Sequence, residues 1–185
     1  MILIVDMNWK KDSLGYYEFV LPVAAVAEKI SDYKIKHYLE VTNEDLNQCS
    51  SVILSGTALK DIVTLSHPEK FQWLKEHPEK PVLGICAGME TIGVVFGSRL
   101  IKCLEIGMTP IISLKDNPLF SADFKAYSLH SYCVEFSEEF EVWAKSAKCI
   151  QVFRHKTKPI YGALFHPEVR NQELIKRFIE LNRNK

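Results

Sequence analysis

The chain has 185 residues with 23 basic and 23 acidic side chains, so its formal net charge is zero. Nucleic-acid-binding domains carry basic patches, and because no such run occurs here we expect no nucleic-acid partner. No apolar stretch approaches the roughly 20 residues that span a bilayer, and the first residues lack the pattern of a signal peptide. We therefore expect no membrane partner, a cytoplasmic location and a single domain over residues 1–185.

Strand and helix patterns alternate through the first half of the chain. An apolar run predicts a strand over 2–6, and helical spacing over 15–30 predicts a helix that starts late or bends at Pro22. Thr42 is suited to cap the next helix. The other elements predicted here are strands over 34–41, 51–55 and 81–85 and helices over 43–48, 68–76 and 89–96. This alternation indicates a parallel sheet covered on both faces.

The strand patterns become shorter after residue 96 and are in part antiparallel. The predicted strands cover 100–103, 107–113, 125–129, 132–136 and 149–153. The pattern returns to the main sheet over 160–165 and ends in an amphipathic helix over 171–182. The predicted fold class is α/β, a flavodoxin-like three-layer sandwich around a mostly parallel central sheet, with a small antiparallel sheet.

A cysteine between two glycines stands where the strand over 81–85 passes into a helix. Gly84, Cys86 and Gly88 have the spacing of the G-x-S-x-G nucleophile elbow, with cysteine in place of serine. The helix N-terminus favours a thiolate, and the Ala87 N–H is suited to stabilise an oxyanion. The alternative interpretation is a buried structural cysteine beside incidental glycines.

An imidazole and a carboxylate lie two residues apart at the end of the strand over 160–165. In extended backbone, residues two apart point to the same side, so Glu168 can orient the ring of His166. Pro167 stiffens the link between them. Because ligand sites in parallel sheets lie beyond the carboxyl ends of strands, we expect Cys86, His166 and the loop after residue 55 to meet there.

These segments together resemble the class I glutamine amidotransferases of the triad type, over nearly the whole chain. The family segments P-x-x-G-I-C-x-G-x-Q, Y-G-x-Q-F-H-P-E and I-x-S-G-G-P resemble residues 81–90, 161–168 and 51–59. The resemblance implies hydrolysis of the glutamine side-chain amide through a thioester on Cys86, with release of ammonia. It assigns His166 as general base and acid and Glu168 as its orienting partner, and it implies no cofactor and no metal.

The resemblance also implies the residues that surround the substrate. The oxyanion donors are Thr57 and Ala87, and the substrate contacts are Gly56, Glu90, His130, Ser131 and Tyr132. Four positions depart from the family pattern: Thr57 replaces glycine, Ala58 replaces proline, and Glu90 and Leu164 replace glutamine. A carboxylate at position 90 would repel the substrate α-carboxylate unless it is protonated or turned away. His130 has the alternative interpretation of a histidine that is only hydrogen-bonded on its strand.

The five cysteines are odd in number and irregularly spaced, without a C-x-x-C pair. This spacing predicts neither a disulfide framework nor a zinc site. We expect the four cysteines other than Cys86 to be buried or half-buried small hydrophobic residues. Free thiols agree with a reducing compartment.

The chain contains no P-loop and no second domain that could activate an acceptor for ammonia. We therefore expect the partner to be a separate synthetase subunit, because a glutaminase alone would waste glutamine. The chain most resembles the small subunit of GMP synthase, and the alternatives are the corresponding subunits of anthranilate and aminodeoxychorismate synthases. Two other hypotheses stay open: a solitary hydrolase of γ-glutamyl compounds, and a binding protein that kept the fold but lost turnover.

Overall fold

Strands and helices alternate along the first half of the chain in the computed structural model, which describes residues 1–183. The strands are β1 (Ile2–Asp6), β2 (Tyr33–His37), β3 (Ser51–Leu54), β4 (Val82–Ile85), β5 (Arg99–Ser113), β6 (Phe124–Glu135), β7 (Phe140–Lys145), β8 (Ile150–His155) and β9 (Ile160–Ala163). The helices are α1 (Leu21–Ala27), α2 (Asn43–Gln48), α3 (Trp73–Glu76), α4 (Ala87–Val95) and α5 (Gln172–Asn182).

One sheet of nine strands runs through the described residues in the order β2-β1-β3-β4-β9-β8-β7-β5-β6. The first five strands in this order are parallel, and the last four continue the sheet in antiparallel pairs. Only Ile112 and Ser113 of β5 pair with β7, so the β5–β6 ribbon is attached to the central sheet over a short distance. Strands β3, β4 and β9 are adjacent and parallel, so their carboxyl ends lie at the same end of the sheet.

Helices cover both faces of the central sheet and give it two separate hydrophobic cores. Val23 of α1 and Phe178 of α5 pack in one core. Leu46 of α2, Leu74 of α3 and Ile92 of α4 pack in the other. The three-layer α/β fold expected from the sequence is confirmed, because strands buried on both faces need a helical layer on each side.

Two residues in the N-terminal half have the effect on helix starts that the sequence predicted. Pro22 lies in the first turn of α1, after a π-helical turn over Tyr16–Val20, so the helix starts late. Thr42 caps α2: its hydroxyl accepts from the Asp45 N–H at 3.2 Å, and the Asp45 carboxylate accepts from the Thr42 N–H at 3.0 Å. This reciprocal pair is a capping box.

The structure differs from the predicted strands in three places. The strand expected over 34–41 ends at His37, where a 3₁₀ turn over Tyr38–Glu40 begins. Four predicted short strands are two long ones, β5 and β6, with a register shift between Lys102 and Glu105. A β-bulge interrupts the alternation of side chains and therefore makes one strand look like two. Strand β7 was not predicted at all.

The terminal helix α5 is strongly amphipathic, as expected, and packs against α1. Its eleven residues are far fewer than a bilayer requires. Within residues 1–183, none of the helices combines the length and the apolar character needed to cross a lipid bilayer.

Candidate active site

Cys86 stands at the strained turn that the sequence predicted. Its backbone has φ +46° and ψ −105°, between the end of β4 and the start of α4. A Cβ on Gly84 would come within 2.6 Å of the Gly88 and Met89 backbone, and one on Gly88 within 2.6 Å of Leu54 O. Both glycines are therefore required by the close approach of β3, β4 and α4. The nucleophile elbow is present as a local structure.

The imidazole of His166 is fixed in orientation by Glu168. Nδ1 and the Glu168 Oε1 carboxylate oxygen lie 2.7 Å apart, and both side chains are fully buried. The main chain is held as well, because the His166 N–H donates to Tyr127 O at 2.8 Å. The Phe19 ring packs at 5.1 Å between centroids. Nε2 is thereby directed away from the carboxylate, and it has no hydrogen-bond partner among residues 1–183.

Gly56, after β3, brings the cysteine and the histidine together. A Cβ at this position would lie 2.6 Å from His166 Cε1 and 3.5 Å from Cys86 Cβ, so Gly56 adjoins both side chains and a larger residue would collide with the imidazole. The Cys86 thiol donates to Leu129 O at 3.6 Å, and Nε2 of His166 has no hydrogen-bond partner among residues 1–183. A thiol that rotates about its Cα–Cβ bond can turn from this carbonyl to the imidazole.

The thiol and the imidazole influence each other's titration. Burial raises the pKa of the Cys86 thiol, and the imidazole of His166 opposes that rise. Burial alone would lower the pKa of His166, but the Cys86 sulfur and the Glu168 carboxylate raise it well above its usual value. A proton that leaves the sulfur is therefore held by the ring and stabilised there by Glu168.

The two predicted oxyanion donors are Thr57, which lines the same cleft as Cys86, and Ala87, which follows Cys86 in the chain. Ala87 is the first residue of α4, where N–H groups have no partner within the helix. Thr57 is buried at the cleft, and its hydroxyl donates to Asp61 O at 2.9 Å. Thr57 is not one of the non-glycine residues with positive φ in the part of the chain described, so the replacement of glycine creates no backbone strain there.

Glu90 is buried beside the nucleophile in the first turn of α4. Burial raises the pKa of its carboxyl group to about 8, against a smaller lowering effect of His166. At neutral pH this side chain is therefore mostly uncharged. A neutral carboxylic acid has one O–H donor and a carbonyl acceptor, so it resembles the glutamine amide of the family pattern in hydrogen bonding.

A narrow cleft leads to the sulfur between α4, β6 and the loop after β3. Its lining residues are Thr57, Ala58, Leu59, Asp61, Ile62, Cys86, Glu90, Leu129, His130, Ser131 and Tyr132. The free space inside is about 10 Å³, enough for one water molecule. The Ser131 hydroxyl donates to Leu59 O at 3.2 Å and so ties β6 to the loop. A substrate must widen this cleft to enter.

Several residues at the site carry no sequence signal. Asp61 lines the cleft and accepts from the Trp9 N–H at 2.8 Å, across 52 residues of chain. Leu129 contributes its carbonyl oxygen, and Phe19 contributes only its ring. These contacts depend on how distant segments meet, so no local pattern indicates them. Leu164, in place of the family glutamine, is fully buried in a hydrophobic core.

The His130 side chain is directed to other partners than the cleft. Nδ1 lies 3.1 Å from Cys103 O, Nε2 lies 3.2 Å from the Glu105 carboxylate, and the side chain has no exposed surface. Burial lowers the pKa of His130, while the Glu105 carboxylate opposes this shift. The substrate contact expected for this residue is not visible at its ring nitrogens.

Comparison with known proteins agrees with this geometry. The sequence profile of the family described as glutamine amidotransferase class-I matches residues 22–183. A glutamine-hydrolyzing GMP synthase subunit of Methanocaldococcus jannaschii is 36% identical over 112 residues, which cover 55% of this chain and 60% of that protein. The glutamine-hydrolyzing GMP synthase of Ruminiclostridium cellulolyticum is 36% identical over 198 aligned positions, 97% of this chain but 36% of that longer protein.

A solved structure shows the same fold over almost the full length of the chain. A crystal structure assigned to a GMP synthase subunit of Thermoplasma acidophilum superposes with a TM-score of 0.85 and 25% identity. It covers 98% of this chain and 93% of that one. The match to the family profile spans most of the sequence and includes the elbow and the His166-Pro167-Glu168 segment. The chain belongs to the class I glutamine amidotransferase family.

Proposed function

We propose that this protein is the glutaminase subunit of a GMP synthase, which hydrolyses glutamine at Cys86 and passes the ammonia to a separate synthetase subunit. The observation that carries this proposal is the buried His166–Glu168 pair: its imidazole and the Cys86 side chain both adjoin Gly56, and Nε2 has no hydrogen-bond partner among the described residues. The similarity of the sequence to glutamine-hydrolyzing GMP synthase subunits supports the identity of the acceptor reaction.

The reaction proceeds in two stages from this geometry. His166 takes the thiol proton, the Cys86 sulfur attacks the side-chain amide carbon of glutamine, and the tetrahedral oxyanion accepts from the Thr57 and Ala87 N–H groups. The imidazolium then protonates the departing nitrogen, which leaves as ammonia. In the second stage His166 deprotonates a water molecule that attacks the thioester carbon. The C–S bond breaks, the Cys86 sulfur takes the proton back from the imidazolium, and glutamate is released. Glu168 stabilises the imidazolium in both stages.

Glu90 contacts the amino-acid end of glutamine in this proposal. In its neutral form it donates a hydrogen bond to the substrate α-carboxylate, as the amide in the family pattern does. Gly56, Ser131 and Tyr132 complete this part of the site, the last two from the strand that lines the cleft. His130 contributes through its main chain, because its ring is engaged elsewhere.

Ammonia release from glutamine by the purified protein tests the proposal, alone and with a GMP synthetase subunit. We expect release that Cys86→Ala abolishes and His166→Ala reduces by at least about a thousandfold, since both groups take part in bond making. Glu168→Ala should reduce it less, because Glu168 orients the ring and does not react. Equal and mild losses from all three variants would contradict the assignment.

Related assays on the same purified protein distinguish the alternative hypotheses, each of which predicts a different result. Preference for larger γ-glutamyl amides over glutamine would favour a solitary γ-glutamyl hydrolase. Failure of a glutamine-like electrophile to label Cys86 in folded protein, with Cys86→Ala as control, would favour a binding protein. Stimulation by an anthranilate or aminodeoxychorismate synthase subunit, and not by a GMP synthetase, would reassign the partner.

A further inference from the structure

Three of the cysteines that the sequence separates lie together in the antiparallel part of the sheet. Cys103 is on β5, Cys133 is on β6, and Cys149 immediately precedes β8. Their sulfur atoms all lie within 4.8 Å of one another. Cys133 is buried and the other two are half-buried. The sequence did not predict this cluster, because the three cysteines come from three different segments and their spacing along the chain is irregular.

Polar ligand atoms adjoin this sulfur cluster. Cys149 forms a second close group with Glu105 and His130, whose ligand atoms also lie within 4.8 Å of one another. The Cys149 thiol lies 3.5 Å from Glu105 Oε2, and Gln151 Nε2 donates to the same oxygen at 2.7 Å. The sequence predicted that these cysteines act only as small hydrophobic residues. That role does not account for the buried carboxylate, imidazole and amide that lie next to them.

The His130 ring is held next to the sulfur cluster by the main chain of β5. Nδ1–H donates to Cys103 O at 3.1 Å. Nε2 lies 3.2 Å from the Glu105 carboxylate and 3.4 Å from Gln151 Nε2. These polar side chains therefore form a buried layer beside the three sulfur atoms.

We propose that Cys103, Cys133 and Cys149 bind one thiophilic cation, with zinc as the reference ion. Cysteine thiolates are common ligands of structural zinc sites, which have tetrahedral geometry and Zn–S distances of about 2.3 Å. That geometry sets sulfur atoms about 3.8 Å apart, so a small inward shift of the side chains suffices. Soft thiolate ligands also suit Cu⁺, but oxygen-preferring Mg²⁺ and Ca²⁺ do not fit this set.

The ion would connect the antiparallel ribbon to the central sheet. Strands β5 and β7 are joined by only two residue pairs, whereas the cluster links β5 and β6 to the start of β8. A surface cleft of about 500 Å³ is lined by Glu105 and by Lys148, which precedes Cys149 in the chain. Strand β6 also lines the substrate cleft through Leu129 to Tyr132. The proposed ion has a structural role, because its three ligands are not among the catalytic residues Cys86, His166 and Glu168.

Metal binding by the full chain, purified under reducing conditions and stripped of metal, tests this inference. Zinc is titrated against a chromophoric chelator, and Co²⁺ is titrated as a spectroscopic probe. We expect one ion per chain, with thiolate-to-cobalt charge-transfer absorption and the visible bands of tetrahedral coordination. Cys149→Ala should weaken binding by more than about a hundredfold, because loss of a ligand exceeds the effect of losing an outer partner.

Matched controls use the two cysteines outside the cluster. Cys49→Ala and Cys86→Ala should bind zinc as the unmodified protein does. If Cys149→Ala does not fold, Cys103→Ser supplies the same comparison at a half-buried position, and zinc should raise the unfolding midpoint of the unmodified protein only. Absence of stoichiometric binding in folded protein, a disulfide among the three thiols in its place, or binding that depends on Cys86 would overturn the inference.

Discussion

Individual residues at the site depend on burial for their chemical state. The carboxyl group of Glu168 contacts His166 and stabilises the charged imidazolium. Burial raises the pKa of the Glu90 carboxyl group, because it disfavours the charged form, so Glu90 keeps its proton. Two carboxylic acids near one sulfur thus have different roles because their surroundings differ. The substitution of Glu90 for glutamine is compatible with glutamine binding for this reason.

The pH dependence of glutamine use should report the Glu90 carboxyl group. Below its pKa of about 8 the group is neutral, and above that pH it becomes an anion that repels the substrate α-carboxylate. We expect KM for glutamine to rise above about pH 8 in the unmodified protein and to stay flat in Glu90→Gln. Steady-state kinetics across this range measures it. A KM that rises equally in both proteins would show that Glu90 does not face the substrate.

The same group gives a stability signal that is independent of activity. In the unfolded chain the carboxyl ionises near its usual pKa of 4.5, whereas the folded protein holds the proton up to about pH 8. The folded state binds more protons between these values, so its free energy of unfolding falls as pH rises through this window. Glu90→Gln should remove that part of the pH dependence, which amounts to a few kcal/mol at most. Denaturant unfolding at a series of pH values measures it, and identical pH profiles for the two proteins would contradict the retained proton.

At the scale of the element, the strand–turn–helix unit depends on close backbone contact. Gly84 and Gly88 allow β4, α4 and β3 to pack at distances that exclude any side chain. The unit holds Cys86 at positive φ and presents its side chain at the end of the sheet. A strained residue of this kind persists only where surrounding structure over-determines it.

Substitution of these glycines tests that packing. Gly88→Ala puts a Cβ 2.6 Å from Leu54 O, which is main chain and cannot move aside, so we expect destabilisation by more than about 3 kcal/mol. Gly97→Ala is the control: Gly97 has φ +77° with no atom within 4 Å of a Cβ, and only the backbone strain of about 1 kcal/mol applies. Denaturant unfolding measures both, and equal losses would contradict the packing argument.

For the whole molecule, the feature that bears on the proposed partner is the end of the sheet where the site residues meet. The loop after β3, the elbow after β4 and the segment after β9 meet there, and the remaining cleft is too narrow for glutamine. Loop 57–62 must move, and the contact from Ser131 to Leu59 holds it in place. The loop then has a closed position, seen here, and an open position that admits glutamine. A second chain that binds at this end of the sheet shifts the equilibrium between them only if it binds the open form more tightly.

Glutamine hydrolysis should therefore increase when the synthetase subunit binds. We expect kcat/KM to rise by at least about tenfold, because the partner stabilises a widened cleft that the free protein populates little. Ser131→Ala should reduce the factor by which the partner stimulates hydrolysis, since it removes one hydrogen bond between β6 and the loop. Hydrolysis that is equally fast with and without the partner, in both proteins, would show that the cleft opens unaided.

The sequence by itself determined the α/β class, the elbow around Cys86 and the paired His166 and Glu168, because each depends on neighbours close along the chain. The Thr42 cap and the late start at Pro22 were also local. Single-domain organisation over 1–185 stays a prediction. Strand β7 and the continuity of β5 and β6 were not predicted, because a bulge and a weak alternation of apolar and polar residues obscure the strand pattern.

Only the tertiary structure decided what depends on distant segments meeting. It brought Gly56 against both Cys86 and His166, and it buried Glu90 so that its proton is retained. It also directed His130 towards Glu105 and assembled three cysteines from three separate segments. Side-chain proximity across a sheet and the desolvation of an ionisable group are properties of packing, which the order of residues along one strand or helix does not contain.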